Sequence, residues 1–230
     1  MITLAIDTST AAGSVAILRD TELVGVIGTA SSETYSSRLF RQLQILLNEV
    51  DIRLEEVDLY AVTSGPGSFT GLRVGLTAVK GWAEVFQKPV AAVSVLEAVA
   101  AMAGADSVYR APVVDARRGQ IYGGLYRFDA GRLCRVTEDC VATLEEYLNG
   151  LRAQRLDAPL TFVTPTPEIL AGALDGFDHC RTETVSSVLA PVVGRLGRER
   201  AKRGETVDAL HLDAHYVRRS DAELLWKGPR

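Results

Sequence analysis

The chain has 230 residues, 47% hydrophobic and 23% charged, with a net charge of −4. A chain of this length can bury most of its unfolded surface without disulfides or metal. Its acidity argues against a dedicated nucleic-acid binder, which carries a basic surface.

The N-terminus, MITLAIDTS, runs straight into a strand pattern, with no basic n-region, long apolar run or cleavage site. No 18 consecutive residues are apolar, so no membrane span is expected. Cys134, Cys140 and Cys180 are odd in number and form no CxxC pair, so they read as thiols in a reducing cytoplasm.

Three short β-prone runs come first, at 2–6, 14–19 and 22–28, joined by tight turns as in a meander. A helix is expected near 34–50, where Leu39, Leu43, Leu46, Leu47 and Val50 recur at helical spacing; Ser31 or Ser32 could cap it. A strand near 57–63 delivers the chain into SGPGSFTGLRVG at 64–75, and a second helix near 68–87 ends before Pro89. A strand near 89–94 and a short Ala-rich helix at 95–103 follow. The pattern then restarts. A strand at 111–114 ends in Asp115, a tight turn at 116–119 follows, and strands are expected at 121–128 and 132–138. Helices are expected near 143–150, 166–174 and 187–203, with a strand near 160–164. Both halves thus open with a strand, an aspartate and a hairpin, a repeat of architecture and not of sequence. The division falls near 104–110. Lobes of 1–105 and 106–230 are expected, the last residues packing back on the first lobe.

Two lobes of this pattern suggest an α/β fold of the actin-like (ASKHA, ribonuclease-H-like) class. There, an aspartate ending the first strand sits beside nucleotide phosphates and metal. Asp7 and Asp115 hold the corresponding positions, with Thr8, Gly65, Gly67 and Ser68 as further candidates for nucleotide contact. The alternative is that both aspartates end strands and bond to turn amides. The spacing leaves both open.

The blocks AIDTSTAAGSVAIL, SGPGSFTGLRVG, VVDARRGQIYGGLY and HYVRRSDAE resemble the TsaB (YeaZ) family along essentially the whole chain. The resemblance implies an actin-like fold and a role in forming N6-threonylcarbamoyladenosine at position 37 of tRNAs that read ANN codons. It implies a non-catalytic partner of TsaD, a paralogue that holds the metal and transfers the threonylcarbamoyl group. A P-loop ATPase, TsaE, completes the complex. Contact with tRNA is expected only through the complex. The lone chain could also form a homodimer.

The residues bear on catalytic silence. The first long helix contains no histidine, whereas TsaD-type proteins carry a His-x-x-x-His pair there. The one i, i+4 pair here is His211 and His215, near the C-terminus, and no metal is expected. After the strand LTFV come Thr164-Pro165-Thr166-Pro167, where actin-like kinases have a glycine turn, and proline offers no amide donor. There is no GxxxxGK[ST] loop, and Lys80 lies about three turns into its helix. Ser9, Ser64, Ser68 and Ser94 have no histidine and acid at motif spacing. No cofactor is expected. The alternative function is an actin-like small-molecule kinase or ATPase.

Gly71, Gly75 and Ala78 form a smooth stripe on the second helix. Glycine inside a helix costs about 1 kcal/mol against alanine, so close packing should offset it. One reading is a partner helix, with Arg38, Leu39, Gln42, Leu43, Leu46, Val74 and Trp82 completing a four-helix contact. The other is packing on the protein's own sheet. Arg195, Arg198, Arg200, Lys202 and Arg203 form a basic run that reads as a solvated helix end or, alternatively, as a tRNA contact.

Overall fold

The computed structural model describes residues 1–177 and 180–217. The end of the HYVRRSDAE block, Trp226 and the expected docking of the last residues lie outside them. The first half builds β1 (Ile2–Asp7), β2 (Ala12–Arg19), β3 (Glu22–Ala30), α1 (Tyr35–Glu49), β4 (Leu59–Gly65), α2 (Phe69–Phe86) and β5 (Val90–Ser94). Then come α3 (Val95–Ala101), β6 (Tyr109–Arg117), β7 (Gln120–Asp129), β8 (Arg132–Thr143), α4 (Leu144–Arg152), β9 (Leu160–Thr164), β10 (Arg181–Thr184) and α5 (Ala190–Lys202).

The strands form two sheets, ordered β3-β2-β1-β4-β5 and β10-β9-β6-β7-β8. In each, the first strand pairs antiparallel with the second and parallel with the fourth. The repeat of strand, aspartate and hairpin is thus a repeat of whole sheets. Helices α1 and α2 cover the outer face of the first sheet, and α5 covers its inner face. Helix α3 lies against the second sheet and touches α5, so the two helices fill the space between the sheets. Helix α4 closes the far face of the second sheet.

Packing explains the sequence periods. Leu39, Leu43 and Leu46 of α1 and Leu72, Leu76 and Val79 of α2 join Leu4, Ile6 and Ile17 in one core. Each such side chain, fully buried, contributes roughly 2 kcal/mol. Between the sheets the core is alanine- and valine-rich, Ala5, Ala16 and Ala61 meeting Ala190, Val192 and Val193. Polar ties reinforce it. The buried Asp139 carboxylate accepts from Ser94 Oγ at 3.1 Å and Tyr126 OH at 2.8 Å. Helix α5 and the segment after it return to the first sheet. The Ala190 amide donates to Ser14 Oγ at 3.0 Å, Val207 pairs with Val90, and the His215 amide donates to the Ser64 carbonyl at 2.7 Å.

Several elements differ from their sequence expectations, β8 among them, which runs on from 138 to Thr143. The helix expected at 166–174 is a single 3-10 turn, Pro167–Leu170, and Gly172, at φ +71°, turns the chain out of helical geometry just beyond it. The edge strand Arg181–Thr184 was not expected, since RTET carries no apolar alternation. Helix α1 is entered through Thr34, not Ser31 or Ser32, and no side chain caps it.

Candidate functional site

The loop SGPGSFTG joins β4 to α2, and its glycines each face a close neighbour. A Cβ on Gly65, whose φ is +130°, would lie 2.3 Å from the His215 carbonyl oxygen. One on Gly67 would lie 2.5 Å from the Ser9 carbonyl oxygen. On Gly71 and Gly75 it would meet Thr8, at 2.2 Å from the carbonyl oxygen and 2.4 Å from Oγ1. Ser68 caps α2 by accepting from the Gly71 amide at 3.2 Å, and its own amide donates to Ser9 at 2.7 Å. The loop and the start of α2 are therefore fitted against the turn that follows β1.

That turn contains Asp7. Its Oδ1 accepts from Ser9 N at 3.0 Å, Ser9 Oγ at 2.6 Å and Thr63 Oγ1 at 3.0 Å. Asp7 and Thr8 are both buried, and among the described residues Asp7 Oδ2 and Thr8 Oγ1 have no hydrogen-bond partner. Burial raises the Asp7 pKa above its ordinary 3.8, against the bonds from Ser9 and Thr63. Asp115 differs. It is only partly buried and holds its own turn, accepting from the Arg117 amide at 2.7 Å and pairing with the Arg117 guanidinium at 3.3 Å. Asp115 lines a cleft of about 1130 Å³ between the sheets, together with Gly67, Ser68, Pro165 and Thr166; Asp7, Thr8 and Gly65 lie outside its walls. The six nucleotide candidates are thus divided between a buried turn and an open cleft.

The helix-pair candidates divide as well. Arg38, Leu39, Gln42, Leu43, Leu46, Gly71, Gly75 and Ala78 are all buried within the chain itself. Arg38 and Gln42 reach inward to Thr29, at 3.0 and 2.7 Å, pinning α1 to the end of β3. The inner stripe therefore serves the protein's own core, and the glycines bring α2 close to Thr8. Only Val74 and Trp82 are partly exposed. What faces outward is a set that the stripe did not include. Phe40 is 54% exposed and Val85 73%. The rings of Phe40 and Trp82 pack edge to face, their centroids 6.1 Å apart, over a groove of about 290 Å³ lined by Leu43, Leu47, Ile52 and Leu54. A Cβ on Gly81 would meet nothing within 4 Å among the described residues, so their packing does not explain that glycine. Val74, Gly81 and Val85, at i, i+7 and i+11, share one flank of α2.

Other candidates resolve into structural pairs. His211 Nδ1 lies 2.7 Å from Asp208, and His215 lines the cleft. Among the described residues no three His, Cys, Asp or Glu side chains are grouped to hold a metal. Ser9 Oγ bonds to Asp7, Ser64 Oγ to the Val93 carbonyl and Ser94 Oγ to Asp139, none to histidine. Within the basic run, Arg198 and Lys202 pair with Glu199, Arg200 with Glu97 and Arg203 with Glu205.

The family model described as TsaD, tRNA N6-adenosine threonylcarbamoyltransferase, matches residues 13–174. The tRNA threonylcarbamoyladenosine biosynthesis protein TsaB of Bacillus subtilis is 31% identical over 98% of this chain and 98% of its own length. The chain belongs to the TsaB family. YeaZ from Pseudomonas aeruginosa superposes with a TM-score of 0.76 at 28% identity, covering 94% of this chain and 99% of that one. An Arthrobacter polyphosphate/ATP-glucomannokinase shares the fold alone, with a TM-score of 0.54 at 11% identity, covering 88% of this chain and 99% of that one. The fold is actin-like, and no helix of the described residues is long and apolar enough to cross a membrane.

Proposed function

We propose that this chain is the non-catalytic subunit that binds and activates TsaD in forming N6-threonylcarbamoyladenosine at position 37 of tRNAs reading ANN codons, in the cytoplasm. The observation that carries the reading is the outer flank of α1 and α2, where an unexplained glycine lies among exposed apolar side chains. An exposed apolar patch marks a contact surface. Phe40, Val74, Gly81, Trp82 and Val85 are the contact residues of this proposal. Gly81 lets a partner helix approach the α2 backbone, and Phe40 and Trp82 supply the aromatic anchors that dominate interface energies. TsaE and tRNA join through the complex.

Catalytic silence is supported by Asp7. Its well-bonded oxygen is held by Ser9 and by Thr63 of β4, and the residue lies outside the cleft walls. Mg-ATP titrated into the lone chain is expected to give no stoichiometric binding; tight binding would favour the kinase or ATPase reading.

Isothermal titration with TsaD tests the surface. Wild-type chain is expected to bind with one-to-one stoichiometry. Gly81→Leu and Phe40→Asp are expected to fold and to lose at least tenfold in affinity. Unchanged affinity in both would overturn this surface.

A further inference from the structure

The segment after α5 runs back along α2 in two parts that are held differently. It passes from Val207, beside the start of β5 where α2 has ended, to Tyr216, beside Phe69 where α2 begins. The first part is anchored. Val207 and Val90 exchange both backbone hydrogen bonds at 2.8 Å. Ala209 and Leu212 enter the core formed with α1 and α2, and Leu212 is 1% exposed. The second part, 213–217, rests on the surface. Asp213, His215 and Tyr216 are exposed, and Ala214 and Val217 are half-buried. Its ties are light. The His215 amide donates to the Ser64 carbonyl at 2.7 Å, and Ala214 packs on the edge of the core. The Tyr216 ring stacks on Phe69 with centroids 4.9 Å apart, and its hydroxyl accepts from Arg73 Nε at 3.2 Å. The Arg73 guanidinium lies over the Phe69 ring at 3.7 Å. Aromatic and cation–π contacts at exposed sites are individually weak. A segment with few buried apolar contacts opens locally, well before the fold as a whole.

Where this second part lands gives it a role. It closes on the SGPGSFTG loop, where the His215 carbonyl occupies the space a Cβ on Gly65 would need. Tyr216 and Val217 form a wall of the inter-sheet cleft together with Gly67, Ser68 and Phe69. Phe69 and Arg73, the two residues that Tyr216 holds, belong to the first turns of α2. Arg73 is followed by Val74, which lines the cleft and is one of the proposed TsaD contacts. The same few residues thus shape the cleft mouth and fix the start of the helix that would meet a partner.

We propose that residues 213–217 are a releasable latch on the start of α2, hinged at Leu212. Closed, as here, the latch walls the cleft and holds Phe69 and Arg73; released, it widens the cleft mouth and frees the first turn of α2. Its coupling to TsaD rests on the function proposed above: a partner bound to α2 favours the closed latch, and the closed latch favours the partner by the same factor. Amide hydrogen exchange of the full chain, resolved to single residues, tests it. Corrected for local sequence, the His215 amide is expected to be protected at least tenfold less than the Val207 amide. Tyr216→Ala is expected to lower His215 protection at least fivefold further and to leave Val207 unchanged. Tyr216→Phe, which keeps the ring, is expected to fall between wild type and Tyr216→Ala. Saturating TsaD is expected to raise His215 protection at least tenfold. Equal protection of His215 and Val207, or no response of His215 to Tyr216→Ala, would overturn the latch. TsaD bound with no rise at His215 would overturn the coupling. Failure of TsaD to bind the wild-type chain would instead overturn the partner reading, and the comparison in the lone chain would still decide the latch.

Discussion

The two flanks of α2 carry glycines of opposite meaning. Gly71 and Gly75 face Thr8, closer than any Cβ could approach, whereas Gly81 faces open space. Both flanks carry the helix cost of glycine, about 1 kcal/mol each. On the inner flank that cost is offset inside the chain, by the fit of α2 to the β1 turn. On the outer flank nothing among the described residues offsets it, and a partner's close approach would.

The largest expected effect breaks the inner flank. Gly75→Leu drives its side chain into Thr8 and is expected to cost about 3 kcal/mol or more, as overpacking does. Chemical denaturation reads it directly; a midpoint near wild type would mean that α2 can move off the β1 turn. The same leucine at Gly81 should leave the denaturation midpoint unchanged or slightly raised, while removing TsaD affinity. Together the two variants separate folding from binding within a single helix.

Asp7 gives a pH test of the same buried turn. Its pKa is raised in the folded state, so its contribution to stability is fully present below the ordinary 3.8. That contribution is lost as pH rises through the higher folded value. Asp7→Asn keeps an acceptor for Ser9 and Thr63 and removes the titration. Stability measured from pH 3 upward should therefore fall less for the variant than for wild type; parallel profiles would show that Asp7 titrates alike folded and unfolded.

The smallest effect lies in the second half. Thr143 caps α4 by accepting from the Glu146 amide at 3.2 Å, while Glu146 accepts from the Thr143 amide at 2.9 Å. Thr143→Ala is expected to cost about 1 kcal/mol and to leave TsaD affinity untouched. A loss of affinity there would extend the contact beyond α1 and α2.

Much of the fold is legible in the sequence because its elements follow simple periods. The meander, the two long helices and the restart at residue 111 all come from alternation, helical spacing and turn residues. The edge strand at 181–184 is not legible, because an exposed four-residue strand with no apolar face leaves no period to read. At the site, the spacing of Gly71, Gly75 and Ala78 shows a stripe but not which way it faces. Orientation is set by the sheet beneath, which α2 meets through Leu72, Leu76 and Val79. The same holds for Leu39, Leu43 and Leu46. An apolar stripe this regular is what a helix buries against its own core. Phe40 and Val85 lie off that stripe, and Gly81 is set apart only by having no neighbour, which a sequence does not display. Asp7 is legible as a strand end, but its burial is not, because that depends on Thr63 from a strand more than fifty residues away.

The most direct test of the account is the level of N6-threonylcarbamoyladenosine in bulk tRNA, by nucleoside mass spectrometry, in cells depleted of this protein and then supplied with either wild type or Gly81→Leu. The account predicts a selective fall on depletion, recovery with wild type and no recovery with an equally abundant Gly81→Leu protein. An unchanged level after confirmed depletion would contradict the proposed role, and full recovery with Gly81→Leu would contradict the outer flank of α2 as the surface through which it acts.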